Sequence, residues 1–178
     1  MINIALIGPR GVGKSKVSRK LSKLTGMPIV STDMIAIYES GCIPISEIIK
    51  KDGGNWKNFR KLESAVLLKI SKAQNIIVDC GGGILFDVDE KGNEFFSLEK
   101  FTLLKSFSRI IGLSKSKNYL INKIKSDPSR PTLSSIESYE NLLDRRLPYY
   151  RSSSEYYIDT NDISTEETAA EIVSLLKI

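Results

Sequence analysis

The chain has 178 residues, of which 41% are hydrophobic and 26% charged, a composition that is typical of a globular domain and excludes a disordered tail or a fibrous repeat. It contains no histidine, which excludes a Ser-His-Asp triad, a histidine-ligated zinc or haem and a histidine general base. The net charge of +5 suits a polyanionic ligand, and because no basic stripe interleaved with aromatic residues is visible, we expect no nucleic-acid partner.

The first apolar segment, residues 2–7, predicts a strand that is buried on both faces of a parallel sheet. It has no basic region before it, and a glycine-rich loop interrupts it before it reaches the length of a signal peptide or a membrane span. Cys42 and Cys80 lack the Cys-x-x-Cys spacing of metal knuckles and fit a reducing compartment. We therefore expect a cytoplasmic protein with no membrane partner.

Strands and helices alternate along the rest of the chain. Apolar, β-branched runs predict further strands at 28–31, 75–79, 108–113 and 156–159. Apolar residues at helical spacing predict helices at 14–25, 59–70, 115–125 and 134–147, and a last helix that opens with a capping box at 164–167. This order predicts an α/β fold with a five-stranded parallel sheet flanked by helices, in a single domain over 1–178.

Two polar segments break this alternation. Residues 87–94 predict a loop or surface insertion after the third strand. Residues 126–132 contain too much proline for a helix, and with their flanks they predict a mobile lid over about 126–134. This lid carries Arg130.

The most specific motif lies between the first strand and the first helix. Residues 8–15, GPRGVGKS, match G-x-x-x-x-G-K-[ST] in the strand–loop–helix context that a phosphate-binding loop requires. In such a loop the backbone N–H groups face phosphate oxygens, the lysine reaches the β and γ phosphates and the hydroxyl binds Mg²⁺. The alternative is a glycine-rich turn that only resembles one. We expect ATP and Mg²⁺ as cofactors, with the nucleotide held by Gly11, Val12, Gly13, Lys14, Ser15 and Lys16.

Asp33 follows the second predicted strand by two residues, at the sheet edge where α/β proteins place ligands. We predict that it accepts a hydrogen bond from a substrate hydroxyl and orients that hydroxyl toward the γ-phosphate, because phosphoryl transfer needs positioning more than a strong base. The alternative is that Asp33 only caps a helix beginning at Met34.

Arginines and glycines supply the other candidates. Arg60 has Glu63 three residues later, so it forms either a local surface ion pair or a planar fork for a carboxylate. Arg145 and Arg146 end a predicted helix, where they complement its dipole, or Arg146 faces the same anion as Arg60. The triplet at 81–83 forms either a loose turn or a place where a ligand approaches the backbone closely.

Taken in chain order, GPRGVGKS, STD, FRKLE, CGGG, SRPTL, RRLPYY and IDTN resemble the motifs of the shikimate kinases, a family of small P-loop kinases, over nearly the whole chain. The resemblance implies that Lys14 binds phosphate, that Ser15 binds Mg²⁺ and that Asp33 binds the shikimate hydroxyls. It implies that Arg130 closes over the transferring phosphate, so that Lys14, Asp33 and Arg130 form the catalytic set.

The resemblance also implies how the two ends of the site hold their ligands. Arg60 and Arg146 would bind the shikimate carboxylate, and Gly82 and Gly83 would line the substrate pocket. Lys123 would lie where the family often has an arginine stacked on adenine.

Three features depart from the family pattern. The D-x-D motif at the second strand has Ser31 in its first position, the segment 52–56 lacks the usual Gly-Glu pair, and the insertion at 87–94 lengthens the loop after the glycine triplet. We interpret Asp79 as compensating for Ser31 by reaching the water shell of Mg²⁺ from the neighbouring strand. The alternative is that Asp79 caps the glycine turn.

The combined hypothesis is an ATP-dependent kinase that phosphorylates shikimate at its 3-hydroxyl and acts as a monomer on this small molecule. A related gluconate-type kinase, with a changed pocket, is one alternative. A degenerate, non-catalytic nucleotide-binding protein is the other. Steady consumption of ATP in the presence of shikimate would separate the first function from both.

Overall fold

A computed structural model of the chain describes residues 2–125 and 138–178. The strands of these two ranges are β1 (Ile4–Ile7), β2 (Ile29–Ser31), β3 (Ile77–Asp79), β4 (Phe86–Val88), β5 (Glu94–Phe96), β6 (Arg109–Ser114) and β7 (Tyr156–Asp159). The helices are α1 (Lys14–Thr25), α2 (Thr32–Glu39), α3 (Ile45–Lys51), α4 (Lys57–Ile70), α5 (Leu98–Phe107), α6 (Lys117–Lys125), α7 (Tyr139–Ser153) and α8 (Thr165–Leu176).

Five of the described strands form a parallel sheet in the order β2-β3-β1-β6-β7, and β4 pairs with β5 in a separate hairpin. β1 lies inside the sheet and is buried along its whole length, as its apolar run predicts. Its residues alternate between the two apolar cores, with Ala5 and Ile7 on one side and Ile4 and Leu6 on the other. The predicted α/β fold, a five-stranded parallel sheet flanked by helices, is confirmed.

The helix ends follow the local chemistry of the sequence. Gly26 ends α1 in the left-handed conformation and donates its N–H to Ser22 O at 2.8 Å. The predicted capping box opens α8, with Ser164 and Glu167 bonded reciprocally. No helix in the described ranges combines the length and the apolar character that crossing a bilayer would require.

Helix α7 corrects the prediction of a helix over 134–147. Residues 134–137, with the capping box predicted there, and the lid predicted at 126–134 lie outside the described residues. The described helix is capped by Ser138 and continues through Pro148 to Ser153. The predicted stop before Pro148 is wrong because Tyr150, two residues farther on, is fully buried and keeps the chain helical despite the missing N–H. Arg146 therefore lies inside the helix rather than at its C-terminus.

The segment at 87–94, predicted as a loop or surface insertion, belongs to the hairpin of β4 and β5. Phe86 pairs with Phe96 across the hairpin, and Val88 pairs with Glu94. Because side chains alternate along a strand, Glu94 and Phe96 share one face, while the intervening Phe95 is exposed.

Aromatic rings attach this hairpin to α7. The ring of Phe96 stacks on Tyr149 with centroids 4.7 Å apart, and Phe86 meets Tyr150 edge-to-face at 5.8 Å. The insertion is therefore a packed element, and it delivers Glu94 to the helix that carries Arg146.

The parallel strands leave no room for a side chain at Gly112 of β6. A Cβ there would overlap Ser154 Oγ and lie 2.5 Å from Tyr157 Cδ2. We expect Gly112→Ala to lower the free energy of unfolding by about 1–3 kcal/mol, as overpacking usually does. Urea denaturation measures this loss, and a Ser154→Ala background should recover part of it. A loss that is equal in both backgrounds would show that crowding against the Ser154 hydroxyl is not the cause.

Candidate active site

The residues predicted to act together surround one cavity of about 870 Å³ at the carboxyl ends of β1, β2 and β3. Its walls include the predicted residues Gly11, Val12, Gly13, Lys14, Ser15, Lys16, Asp33, Arg60, Asp79, Gly82, Gly83, Lys123 and Arg146. Arg130 lies outside the described residues. The topology explains the gathering, because parallel strands bring the loops that follow them to the same edge of the sheet.

The loop after β1 has the shape that a phosphate group requires. Gly11 and Gly13 have φ of +88° and +109°, which residues with a side chain rarely adopt. α1 begins at Lys14 without a side-chain cap, and such a helix N-terminus is a ready site for an anion. The buried ammonium of Lys14 donates to the loop carbonyls of Gly8 at 2.8 Å and Pro9 at 3.1 Å. A phosphate in this loop would meet both the helix terminus and this cation.

Asp33 lies in the first turn of α2 and lines the cavity. The cap of this helix is Ser31, whose Oγ accepts the N–H of Met34 at 3.4 Å. The alternative in which Asp33 itself caps a helix starting at Met34 is therefore wrong. Its carboxylate is left for the cavity.

The surroundings of Asp33 make its carboxylate more basic. Burial, and next the negative charge of Glu63, raise its pKa from 3.8 to about 6, although Lys14 and Arg60 act in the opposite direction. A carboxylate with this pKa is better matched to a hydroxyl proton at neutral pH than an exposed one. The position and the pKa both suit the orientation of a substrate hydroxyl.

Arg60 projects from α4 into the cavity wall and is only 2% exposed. Its Nη1 donates to Glu63 Oε2 at 2.7 Å and to Gly83 O at 3.2 Å, and its guanidinium carbon lies 4.9 Å from the centre of the Trp56 ring. The account of Arg60 and Glu63 as a surface ion pair is therefore wrong, since both are buried. Burial makes the loss of either partner far more costly than it is at a surface.

The glycine triplet at 81–83 connects the separate parts of the site. A Cβ on the first glycine would overlap the Asp33 carboxylate, and a Cβ on the third would overlap the Arg60 guanidinium. A Cβ on the second would lie 3.3 Å from the amide nitrogen of Arg10 in the phosphate loop. The triplet thus allows three functional groups to lie directly against one strand end.

Arg146 reaches the same wall from α7. Its Nη1 donates to Gly82 O at 3.2 Å, and its guanidinium lies 4.8 Å from the centre of the Phe86 ring. The hydroxyl of Tyr150 also donates to Gly82 O. Nε of Arg146 donates to Glu94 Oε1 at 2.8 Å, and its Nη2 pairs with the other oxygen of the same carboxylate. Arg60 and Arg146 are thus brought to one wall, as predicted.

Three charged residues around these arginines were not among the predicted site residues. Glu63 bridges Arg60 and the buried Lys100, whose Nζ lies 3.5 Å from Glu63 Oε2. Glu94 joins Arg60 to Arg146. The three-residue spacing indicated Glu63, but no local pattern marks Glu94 or Lys100, because their partners are distant in sequence.

Ser15 and Asp79, the residues predicted to hold Mg²⁺, offer the oxygen ligands that this ion prefers. Both residues line the cavity, and Ser31 pairs with Asp79 in the sheet register. No group of three or more Cys, Asp or Glu side chains with metal-binding spacing occurs in the described ranges. A hydroxyl and one carboxylate suit Mg²⁺, which keeps several waters and binds largely through substrate phosphates.

The alternative role of Asp79 is to cap the glycine turn, but the first N–H of that turn already has another acceptor. The N–H of Gly81 is donated to Thr32 Oγ1 at 2.8 Å. Asp79 as a whole residue is 8% exposed, and it lines the cavity.

The other end of the cavity has the character of a nucleoside site. Cγ of Lys123 would lie 3.6 Å from a Cβ at Gly11, so that α6 passes directly over the phosphate loop. Nζ of Lys115 donates to Thr160 O at 2.8 Å and lies 4.8 Å from the centre of the Tyr119 ring. These side chains offer aliphatic and aromatic surface next to cations, which is what a purine with its phosphates requires.

The fold agrees with the comparisons to known proteins. The family model described as shikimate kinase matches residues 10–177. The chain belongs to the shikimate kinase family. Shikimate kinases are ATP-dependent phosphotransferases that act on a shikimate hydroxyl and use Mg²⁺.

Curated shikimate kinases align with the chain over nearly its full length. A shikimate kinase of Leptospira borgpetersenii is 56% identical over 171 residues, covering 96% of each chain. One of Leptospira biflexa is 47% identical over 178 residues, covering 100% of this chain and 97% of the relative. Among solved structures, the shikimate kinase of Acinetobacter baumannii in complex with shikimate has a TM-score of 0.83 and 27% identity, covering 99% of this chain and 93% of that one.

The raised pKa of Asp33 has a consequence for stability. Because the folded protein holds this proton more tightly than an unfolded chain, ionisation of Asp33 between about pH 4 and 6 lowers the free energy of unfolding. Asp33→Asn should therefore raise the free energy of unfolding at pH 8 by about 1–3 kcal/mol while greatly reducing turnover. Urea denaturation at pH 8 and at pH 4 measures the first effect, which should vanish at the lower pH.

Glu171→Gln, at an exposed position of α8, is the matched control and should change neither quantity. A fall in stability of Asp33→Asn at pH 8 would contradict the raised pKa.

Proposed function

We propose that this chain transfers the γ-phosphoryl group of ATP to the 3-hydroxyl of shikimate. The observation that carries this proposal is the glycine triplet at 81–83. Its three successive residues lie against Asp33, the phosphate loop and Arg60, which in this proposal orient the hydroxyl, bind the phosphates and hold the carboxylate. Shikimate carries hydroxyls and one carboxylate on a single ring, so it presents a group to each end of this wall. The full-length similarity to shikimate kinases supports the same substrate.

In the proposed reaction, Arg60 and Arg146 hold the substrate carboxylate through charged hydrogen bonds. Asp33 accepts a hydrogen bond from the reacting hydroxyl and directs its oxygen toward the nucleotide. Lys14 and, from the lid, Arg130 offset the charge of the phosphoryl group, which is where electrostatic stabilisation acts in phosphoryl transfer. Lys123 holds the adenine end.

Mg²⁺ would be held by Ser15 and, through water, by Asp79, and it would neutralise charge on the β and γ phosphates. A carboxylate on β3 replaces the one that Ser31 cannot provide on β2, since the two positions are direct neighbours in the sheet. The occupation of the N–H of Gly81 by Thr32 favours this role of Asp79 over turn capping.

The two rival functions fit the residues less well. A gluconate-type kinase also needs a carboxylate site, but the family model that matches residues 10–177 is that of the shikimate kinases. A non-catalytic nucleotide-binding protein would not need the half-buried carboxylate of Asp33, with its raised pKa, in the cavity. The monomeric state, the cytoplasmic location, the single domain and the lack of nucleic-acid and membrane partners stay predictions.

A coupled assay of ADP release, with a panel of hydroxy acids, tests the function. We expect shikimate to give steady turnover and gluconate to give little, and we expect Lys14→Ala to reduce kcat by at least about a hundredfold, because it removes a preorganised charge from the transferring group. Lys23→Ala, at an exposed position of α1 outside the cavity wall, is the control and should keep the activity of the wild type. Turnover with gluconate but not shikimate, or with neither acid, would overturn the proposal.

The metal assignment is tested by titrating Mg²⁺ against activity. We expect Asp79→Asn to raise the Mg²⁺ concentration needed for half-maximal activity and to lower kcat, because the water shell loses its carboxylate. Adding Ser31→Asp should restore part of both, since it returns a carboxylate to the adjacent strand. If Asp79→Asn lowers the melting temperature and leaves the Mg²⁺ titration unchanged, Asp79 has a structural role instead.

A further inference from the structure

The carboxylate of Glu94 lies between the two guanidinium groups assigned to the substrate. Its Oε2 pairs with Nη2 of Arg146 and lies 3.5 Å from Nη2 of Arg60, so one oxygen contacts both arginines. Its Oε1 accepts Nε of Arg146 at 2.8 Å and Nη2 of Arg145 at 3.1 Å. We propose that Glu94 is a positioning residue that sets the separation and orientation of Arg60 and Arg146, so that together they grip the carboxylate of the substrate. This role rests on the proposed function.

Glu94 acts from behind the arginines rather than in the place of a ligand. Arg60 and Arg146 both belong to the cavity wall, whereas Glu94 is not among the described residues that line it. On Arg146, Glu94 and Gly82 O accept three of the five N–H donors, and the Tyr150 hydroxyl also hydrogen-bonds this guanidinium. A ligand carboxylate in the cavity would therefore meet the two guanidinium groups and not Glu94.

Burial gives this contact its energetic weight. Side chains of Arg60, Arg146 and Glu94 are all less than a tenth exposed. Burial alone would raise the pKa of Glu94, but the hydrogen bond and charge of Arg146, with the charge of Arg60, hold it below its ordinary value. Glu94 is thus charged, and without it two buried cations would repel one another across the wall.

The buried charges around Glu94 suit one substrate carboxylate. Among the described residues, the side chains of this group that are less than a tenth exposed are the cations Lys100, Arg60 and Arg146 and the anions Glu63 and Glu94. Three cations and two anions leave a charge of +1 on these five side chains. A single carboxylate bound at the cavity face would offset it.

Aromatic packing holds the hairpin against α7. Phe96, two residues after Glu94 on the same face, stacks on Tyr149 of α7, the helix that carries Arg146. The guanidinium of Arg146 itself covers the Phe86 ring of the opposite strand. Glu94 and Arg146 are therefore fixed to each other by aromatic packing on both sides, and Arg60 is drawn to the same oxygen from α4.

The experiment compares Glu94→Gln, Glu94→Asp and the control Glu90→Gln. Glu90 lies in the turn of the same hairpin and pairs with Lys57 at the surface. Its side chain is 86% exposed. We expect Glu94→Gln to raise the KM for shikimate at least about tenfold, because the arginines lose their shared carboxylate. For Glu94→Gln, the KM for ATP should not change and kcat should change less than threefold. Glu94→Asp should recover part of the shikimate KM, and Glu90→Gln should behave as wild type.

A second measurement needs no turnover. Trp56, the sole tryptophan of the chain, packs against the Arg60 guanidinium, so its emission reports the position of that group. We expect Glu94→Gln to shift the emission of the ligand-free protein and to weaken the response to shikimate, with Glu90→Gln unchanged. Urea denaturation identifies a variant that has not folded, in which case Glu94→Asp, which keeps the charge, provides the comparison.

The outcomes separate the two proposals. If the wild type does not phosphorylate shikimate, the proposed function fails, and Trp56 emission still decides whether Glu94 positions Arg60. Tighter shikimate binding by Glu94→Gln would show that Glu94 competes with the substrate. An unchanged KM and an unchanged emission would show that Glu94 neither positions the arginines nor competes with the substrate. Either result overturns the positioning role.

Discussion

Burying a guanidinium group costs several kcal/mol unless carboxylates and carbonyls replace the water it loses. This chain buries two, Arg60 and Arg146, in the wall of one cavity. Their compensation draws in Glu63 from the same helix as Arg60 and Glu94 from an inserted hairpin, and Lys100 in turn compensates Glu63. The requirement for neutrality thus ties α4, α5, α7 and the hairpin into one structure around the substrate end of the cavity.

A steric constraint joins that end to the nucleotide end. The three glycines at 81–83 have no side chains, so the carboxylate of Asp33, the phosphate loop and the guanidinium of Arg60 all approach the same turn. The carbonyls of the second and third glycines also accept hydrogen bonds from Arg146 and Arg60. The protein groups at the two ends of the cavity are therefore held at distances that the backbone determines, which is how an enzyme of the proposed function would align two reactants without strong bases.

The parts of the site that rest on local geometry could be predicted. The phosphate loop needs glycines and a lysine at fixed spacing between a strand and a helix, and these are adjacent in sequence. The five parallel strands were also predicted, since short apolar and β-branched runs alternate with helical patterns along the chain. Predictions went wrong where packing prevailed over local propensity: α7 passes through Pro148 because Tyr150 is buried, and the ion pair of Arg60 is internal rather than exposed.

The amino-acid sequence by itself determined the α/β class, the phosphate loop and the family, because apolar periodicity and motif order are properties of neighbouring residues. Only the tertiary structure decided what the insertion at 87–94 does. Its polar residues predict a surface loop, yet pairing of Phe86 with Phe96 and their packing on α7 turn it into a hairpin that places Glu94 against both arginines. Arg60, Glu94 and Arg146 are far apart along the chain, and nothing in the pattern around Glu94 distinguishes it from an exposed glutamate, so folding alone brings these charges together.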